Sequence, residues 1–239
     1  MVVQDPAAGQ KECNSVMGDY HIRTYEDRDY EAVRTIFSHG IPEHALAAYW
    51  QVLRCPQTHT LLVAIIGVAY MISACLVCSL GVVASVLFMG WIYMKGQWKE
   101  YVQAALAKDL LDIRKTYLET KDSCLWVATS GEEVVGIVAA VQPDNHSQRG
   151  NTLELKHMTV VKAHRGRGLS KALTRTVIHF AQEHGYKEVV LGTSMVQNAA
   201  QQVYTGMGFR KVKEEHPSLL AKLLQFYFCY YRYEIAGTH

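Results

Sequence analysis

The chain has 239 residues, enough for one large domain or for one ordinary domain with an addition, since domains cluster around ~100–150 residues. Its 24 Lys and Arg against 22 Asp and Glu leave a formal charge of +2, and no basic run or aromatic-basic stripe tracks a phosphate backbone, so nucleic acid is excluded as a partner. Five prolines, 17 glycines and no repeated unit exclude collagen-like, solenoid and disordered readings, and six scattered cysteines are too irregular for a disulfide framework.

Residues 1–19 read as a disordered tail: they carry Asp5, Lys11, Glu12 and Asp19 without an apolar stretch, so no cleaved secretory signal is expected. YHIRTYE (20–26) is strand-like, and DYEAVRTIFSHGI and PEHALAAYWQVL form two helices, giving a first segment over 20–57. Then the material changes. Residues 60–94 contain no Asp, Glu, Lys, Arg or His, and 28 of these 35 are apolar. As one helix this block would extend about 52 Å, too long for ~30 Å of hydrocarbon.

The segment 58–96 therefore reads as a membrane hairpin, divided at Cys78-Ser79-Leu80-Gly81 into arms of roughly 60–77 and 82–94. With so short a second arm, a re-entrant hairpin and two full crossings both stay open. Trp91, Tyr93 and Trp98 read as interfacial anchors, and Arg54, Lys95 and Lys99 place both flanks in the cytosol by the positive-inside tendency. The alternative is a buried helical hairpin of a soluble protein. Cys75 and Cys78 form a CxxC inside the block with no second ligand pair, which reads as small buried cysteine rather than redox or metal chemistry.

An amphipathic helix is expected over 97–119, with Tyr101, Ala105, Ile113 and Tyr117 at helical spacing. CLWVATS (124–130), EVVGIVAAV (133–141) and LELKHMTVV (153–161) are β-branched runs that read as strands, the first two joined by a turn at Gly131. LSKALTRTVIHFAQEH, after Gly168, carries Leu169, Leu173, Val177 and Phe180 on one stripe and stops at Gly185, a fitting helix C-terminus. KEVVLGTS (187–194) is a further strand, a short helix covers about 197–206, FRKVKEE leads into the last elements, and FYFCYYRYEI (226–235) reads as a strand buried on both faces. The class is mixed α/β, interrupted by membrane, with 97–239 as the remainder of the globular part.

Between Val161 and the helix after Gly168 lies His164-Arg165-Gly166-Arg167-Gly168-Leu169-Ser170. A glycine-rich strand-to-helix turn presents successive backbone N–H groups at a helix N-terminus, where the dipole favours phosphate oxygens. It is neither a Walker loop nor a GxGxxG dinucleotide turn, and a bland tight turn is the competing reading.

The order of elements around this turn resembles the GNAT N-acetyltransferase superfamily. The superfamily's pyrophosphate signature [QR]xxGx[GA] is matched by Arg165 and Gly168, with Ser170 where Gly or Ala is usual. Ala200, Tyr204 and Gly208-Phe209 resemble its A-x3-Y-x3-GF helix, with Gln197 where Asn is usual. The hydrophobic hairpin after the first two helices is similar to the camello-like branch, the cysteine-S-conjugate N-acetyltransferase and its relatives.

The resemblance implies a GNAT-type mixed sheet flanked by helices, acetyl-CoA as co-substrate, no metal, and a small amine acceptor. It further implies an endoplasmic-reticulum membrane location with the catalytic part in the cytosol. An even number of crossings, or none complete, follows, since the strands on either side of the insert must join one sheet. Cofactor contacts are expected from Arg165, Gly166, Arg167, Gly168, Leu169 and Ser170, and from backbone N–H groups near Met158 and Val160 on a splayed strand. Tyr204 is expected as general acid for the leaving thiolate, with a core tyrosine as the alternative. Glu154, eleven residues before Arg165, is expected as general base, with a surface or salt-bridged glutamate as the alternative. Strand alternation puts Glu154 on one face with Lys156, Met158 and Val160, and His157 on the other. Arg149, Lys156 and Arg210 are unranked candidates for a substrate carboxylate.

Two further readings stay open. One is a lumenal protein-lysine acetyltransferase, which would expose the sequon Asn145-His146-Ser147 to glycosylation; the other is a catalytically silent membrane adaptor. The oligomeric state is unread.

Overall fold

A computed structural model describes residues 15–143 and 150–235; Asn145 and Arg149 lie outside the described residues. The chain forms two compact units. The first comprises the residues through Ile36, Ile113–Val189 and the residues from Ile235; the second comprises Phe37–Asp112 and Val190–Glu234.

In the first unit β1 (Ser15–Met17), β2 (Tyr20–Thr24), β3 (Cys124–Ser130), β4 (Glu133–Val141) and β5 (Thr152–Val160) pair in chain order, each antiparallel to the next. β1 therefore lies inside the stretch expected as tail. β3 and β4 run where their β-branched residues predict, and the turn between them uses Gly131 at φ +61°. They are buried almost throughout, as strands covered on both faces require. α5 (Leu169–Glu183) lays Leu169, Leu173, Val177 and Phe180 on one face of this sheet, with the Phe180 ring 5.1 Å from that of Trp126. It ends at Gly185, φ +75°, the expected left-handed stop. Gly136 on β4 permits the close approach: a Cβ there would lie 3.3 Å from Leu173 and 3.5 Å from Leu169. α1 (Tyr30–Gly40) begins in this unit. Just before it, the buried Asp29 receives two hydrogen bonds from the Arg23 guanidinium, at 2.6 and 2.8 Å, and one from Glu26 N–H at 2.9 Å.

The second unit carries α2 (His44–Leu53), α3 (Pro56–Ser73) and α4 (Leu76–Ala107). The break between α3 and α4 falls at Ala74, φ +49°, and Cys75, not at the small-residue patch 78–81, which is helical. Small residues do not interrupt an apolar helix, whereas one left-handed residue does. The second arm is correspondingly longer than expected. From Leu76 to Met94, before Lys95, it reaches about 28 Å, and α3 about 27 Å, so each arm matches a bilayer core. The most apolar 18 residues of each helix are only 6% buried, which sets the pair apart from a buried hairpin. Cys75 is half-buried and Cys78 exposed, so the CxxC is not a buried pair.

α4 also runs on without a break to Ala107, where a separate helix over 97–119 is expected; charged residues at 95, 99 and 100 change its polarity, not its hydrogen bonding. The rest of that stretch is a short π turn, Arg114–Leu118, in the first unit. α2 docks on α4 through Tyr49, whose hydroxyl donates to Leu87 O at 2.7 Å and whose ring lies 5.4 Å from Trp91.

The remaining strands β6 (Glu188–Ser194), β7 (Arg210–Glu215) and β8 (Phe228–Glu234) take the spatial order β6-β8-β7, with α6 (Asn198–Gly206) and α7 (Leu219–Leu223) between them in sequence. β8 is not buried on both faces. Cys229 and Tyr231 are buried and Tyr230 is exposed, because β7, its neighbour, is solvent-exposed along its whole length and carries the edge charges Lys211, Lys213, Glu214 and Glu215.

Candidate active site

The glycine-rich turn lies between β5 and α5. Gly166 and Gly168 stand at φ +76° and +83°, conformations that side-chain-bearing residues avoid. Gly168 is the N-cap of α5, and the first intrahelical bond runs from Ala172 N–H to Gly168 O at 3.1 Å. The N–H groups of Leu169, Ser170 and Lys171 therefore precede the helical ladder and point out of the helix N-terminus. A Cβ at Gly166 would meet nothing within 4 Å, so open space adjoins the turn. This is the donor set and the room that a diphosphate needs.

Side chains fix the turn rather than fill it. Arg165 donates from Nε to Val160 O at 2.8 Å, tying the turn to the end of β5. Arg167 donates to the Tyr20 hydroxyl at 3.1 Å, and that hydroxyl is hydrogen-bonded to Nδ1 of His164, also at 3.1 Å. Sequence reasoning missed Tyr20, because nothing local marks a residue that acts 144 positions away. Leu169 and Val160 are buried with their side chains in the core, so any role toward a cofactor runs through their backbone.

β5 departs from regular alternation. Ile137 pairs with Thr159 and Ala139 with Lys156, so two residues of β5, His157 and Met158, oppose the single Val138. His157 takes φ +55°, and the strand bulges. The inserted residue inverts the face assignment beyond it. Glu154, Lys156 and Thr159 share one face with Ile137, Ala139 and Val141, while Val160 joins Leu155 and Gly136 on the α5 face. The expectation that Met158 and Val160 share the face of Glu154 fails for this reason. Glu154 itself is half-buried, with a carboxylate oxygen 3.5 Å from Lys156 Nζ. At the foot of β5, Asn151 O accepts from the N–H groups of Lys187 and Glu188, at 2.8 and 3.1 Å.

Tyr204 belongs to the second unit. α6 is pinned to the end of β6 by two glutamines. Gln197 Oε1 accepts from Thr193 Oγ1, Ser194 N–H and Ser194 Oγ at 2.8, 3.0 and 3.2 Å. Gln201 Nε2 donates to Ser194 O and Met195 O, both at 3.1 Å, and its Oε1 accepts from the Tyr231 hydroxyl at 3.0 Å. The helix so held buries the Tyr204 ring 5.7 Å from Phe209 and 6.3 Å from Tyr231, and its hydroxyl makes no hydrogen bond to another described residue. Burial pushes the phenol well above its ordinary value, so it stays protonated. Arg210 lies on the exposed β7. Among the described residues no group of three His, Cys, Asp or Glu is placed to hold a metal ion.

Residues 91–209 match the acetyltransferase (GNAT) family model. N-acetyltransferase 8B of Homo sapiens is 38% identical over 222 residues, covering 93% of this chain and 98% of that protein. The chain belongs to the GNAT acetyltransferases, with relatives of the camello-like N-acetyltransferase 8 type. N-acetyltransferase 8 of Homo sapiens is 37% identical over 93% of this chain and 98% of its own length, and N-acetyltransferase family 8 member 3 of Mus musculus 38% over 87% and 92%. Among solved structures, an acetyltransferase from Streptococcus agalactiae superposes with a TM-score of 0.51 at 18% identity over 92% of this chain and all of its own. A Salmonella typhimurium protein solved with its cofactor acetyl-CoA gives 0.50 at 15% over 93% and 98%. The GNAT enzyme described here is thus an acetyl-CoA-dependent N-acetyltransferase of mixed α/β fold.

Proposed function

We propose that this acetyltransferase is anchored in the endoplasmic-reticulum membrane by the α3–α4 hairpin and acetylates the amine of small amino-acid-like acceptors, S-substituted cysteines first, on the cytosolic side. The observation that supports the membrane half is the pair of apolar helices, each of bilayer length and almost wholly exposed. The chemical half rests on the turn. The N–H groups of Gly166 through Ser170 would hold the diphosphate of acetyl-CoA, and backbone N–H groups near Met158 and Val160 its pantetheine end.

Bound acetyl-CoA supplies an acetyl group already activated as a thioester. Glu154, half-buried beside Lys156, is assigned the ammonium proton of the acceptor, taken directly or through water. Tyr204 Oη, kept protonated by burial, is assigned the proton that the departing thiolate requires. Purified membranes given labelled acetyl-CoA and S-benzyl-cysteine should form the N-acetyl product. Transfer to lysine peptides alone would replace this reading with a protein acetyltransferase, and calorimetry that shows no CoA binding would leave an adaptor.

The sequon at Asn145 tests the orientation. A cytosolic domain keeps the protein's mass unchanged on glycosidase treatment, and a glycosidase-sensitive shift would put the domain in the lumen.

A further inference from the structure

Thr159 is buried, 7% exposed, and its Oγ1 has no hydrogen-bond partner among the described residues. A buried hydroxyl left unsatisfied destabilises a fold, and valine would fill the same shape without that cost. The hydroxyl calls for a ligand. Its position identifies the class. The bulge at His157 turns Thr159 onto the face that already carries Glu154 and Lys156, so three successive same-face positions of β5 present a carboxylate, an ammonium and a neutral hydroxyl. Without the extra residue Thr159 would face α5.

A zwitterionic α-amino acid offers the matching pair, an ammonium for Glu154 and a carboxylate for Lys156 and Thr159. The Glu154–Lys156 contact, 3.5 Å long and with both side chains about 30% exposed, is a loose pair open to solvent, so the Lys156 ammonium can turn to the carboxylate of such a substrate. Resting on the small-amine reading above, we propose that Thr159 Oγ1 donates a hydrogen bond to the α-carboxylate of the acceptor, beside the Lys156 ammonium, and so selects acceptors that keep that carboxylate. A hydroxyl donor next to a cation holds a carboxylate with charge-assisted strength while adding no second positive charge near the amine.

The test compares S-benzyl-cysteine with S-benzyl-cysteamine, which has the same amine and thioether but no carboxylate, on wild type, Thr159→Val, Thr159→Ser and Lys156→Gln. The expected results are a wild-type preference for the carboxylate-bearing acceptor and a KM for it raised about tenfold to a hundredfold in Thr159→Val. The same variant should leave kinetics with the cysteamine compound and the CoA affinity measured by calorimetry unchanged. Thr159→Ser should restore wild-type KM, and Lys156→Gln should weaken the carboxylate-bearing acceptor more than the cysteamine compound, which it affects only through the Glu154 carboxylate beside it. Equal losses with both acceptors, or a loss of CoA affinity in Thr159→Val, would make Thr159 a packing residue and overturn the assignment. A wild type that acetylates both compounds equally well would also overturn it while leaving the small-amine reading intact. A wild type that acetylates neither, yet modifies lysine peptides, would remove both.

Discussion

Gly166 and Gly185 form a matched pair for separating backbone strain from cofactor binding. They sit at φ +76° and +75°, and a Cβ at either would meet no atom within 4 Å. Alanine at either position therefore carries the same left-handed strain, about 1–2 kcal/mol, with no steric clash to confuse the comparison. For a chain of this length each variant should melt roughly 2–8 °C lower than wild type in detergent. The two sites differ only in what adjoins them. Gly185 ends α5 at its C-terminus, whereas Gly166 lies in the turn whose N–H groups are assigned to the diphosphate. Strain relieved at Gly166 rotates the peptide units that aim those groups, and the added methyl occupies the approach. Gly166→Ala should weaken CoA by about tenfold, or ~1.4 kcal/mol, in isothermal calorimetry, and Gly185→Ala should leave it unchanged. Equal CoA affinity in both variants, or equal weakening in both, would refute the assignment of the turn.

Tyr204→Phe should lower kcat by about 10²–10⁴-fold with CoA affinity intact, since only a proton donor is lost. Because burial raises the phenol, the protonated acid persists above pH ~10, and the kcat profile should show no descending limb from this group below that pH; a fall near 8 would identify a different acid. Asp29→Ala should destabilise the fold by about 3 kcal/mol in denaturant titration, because it leaves Arg23 half-buried without its bidentate partner and Glu26 N–H without its acceptor. Arg28→Ala, which removes an exposed pair with Glu26, should cost under about 1 kcal/mol; equal costs would contradict the burial argument.

Local chemistry was legible in the sequence where one residue type has one physical use. Gly131, Gly166, Gly168 and Gly185 mark left-handed turns because little else adopts them, and the β-branched runs of β3 and β4 end where their composition changes. What was not legible depends on register or distance. The bulge at His157 has no sequence mark, since histidine tolerates a left-handed conformation without demanding it, and one inserted residue was enough to misplace Met158 and Val160. The hairpin break at Ala74 was hidden by a small-residue patch four positions on that mimics a turn inside an apolar run. Tyr20 escaped because its partners His164 and Arg167 lie on the other side of the apolar hairpin in sequence. The burial of β8 was overestimated because aromatic content reports hydrophobicity and not which neighbour is an edge.

A structure of the full-length protein in lipid nanodiscs with CoA bound tests the central claim most directly. The diphosphate should lie within hydrogen-bonding distance of the main-chain N–H groups of Gly166 to Ser170 at the N-terminus of α5. Phosphates seated anywhere else on the chain, with that turn bare, would contradict the account.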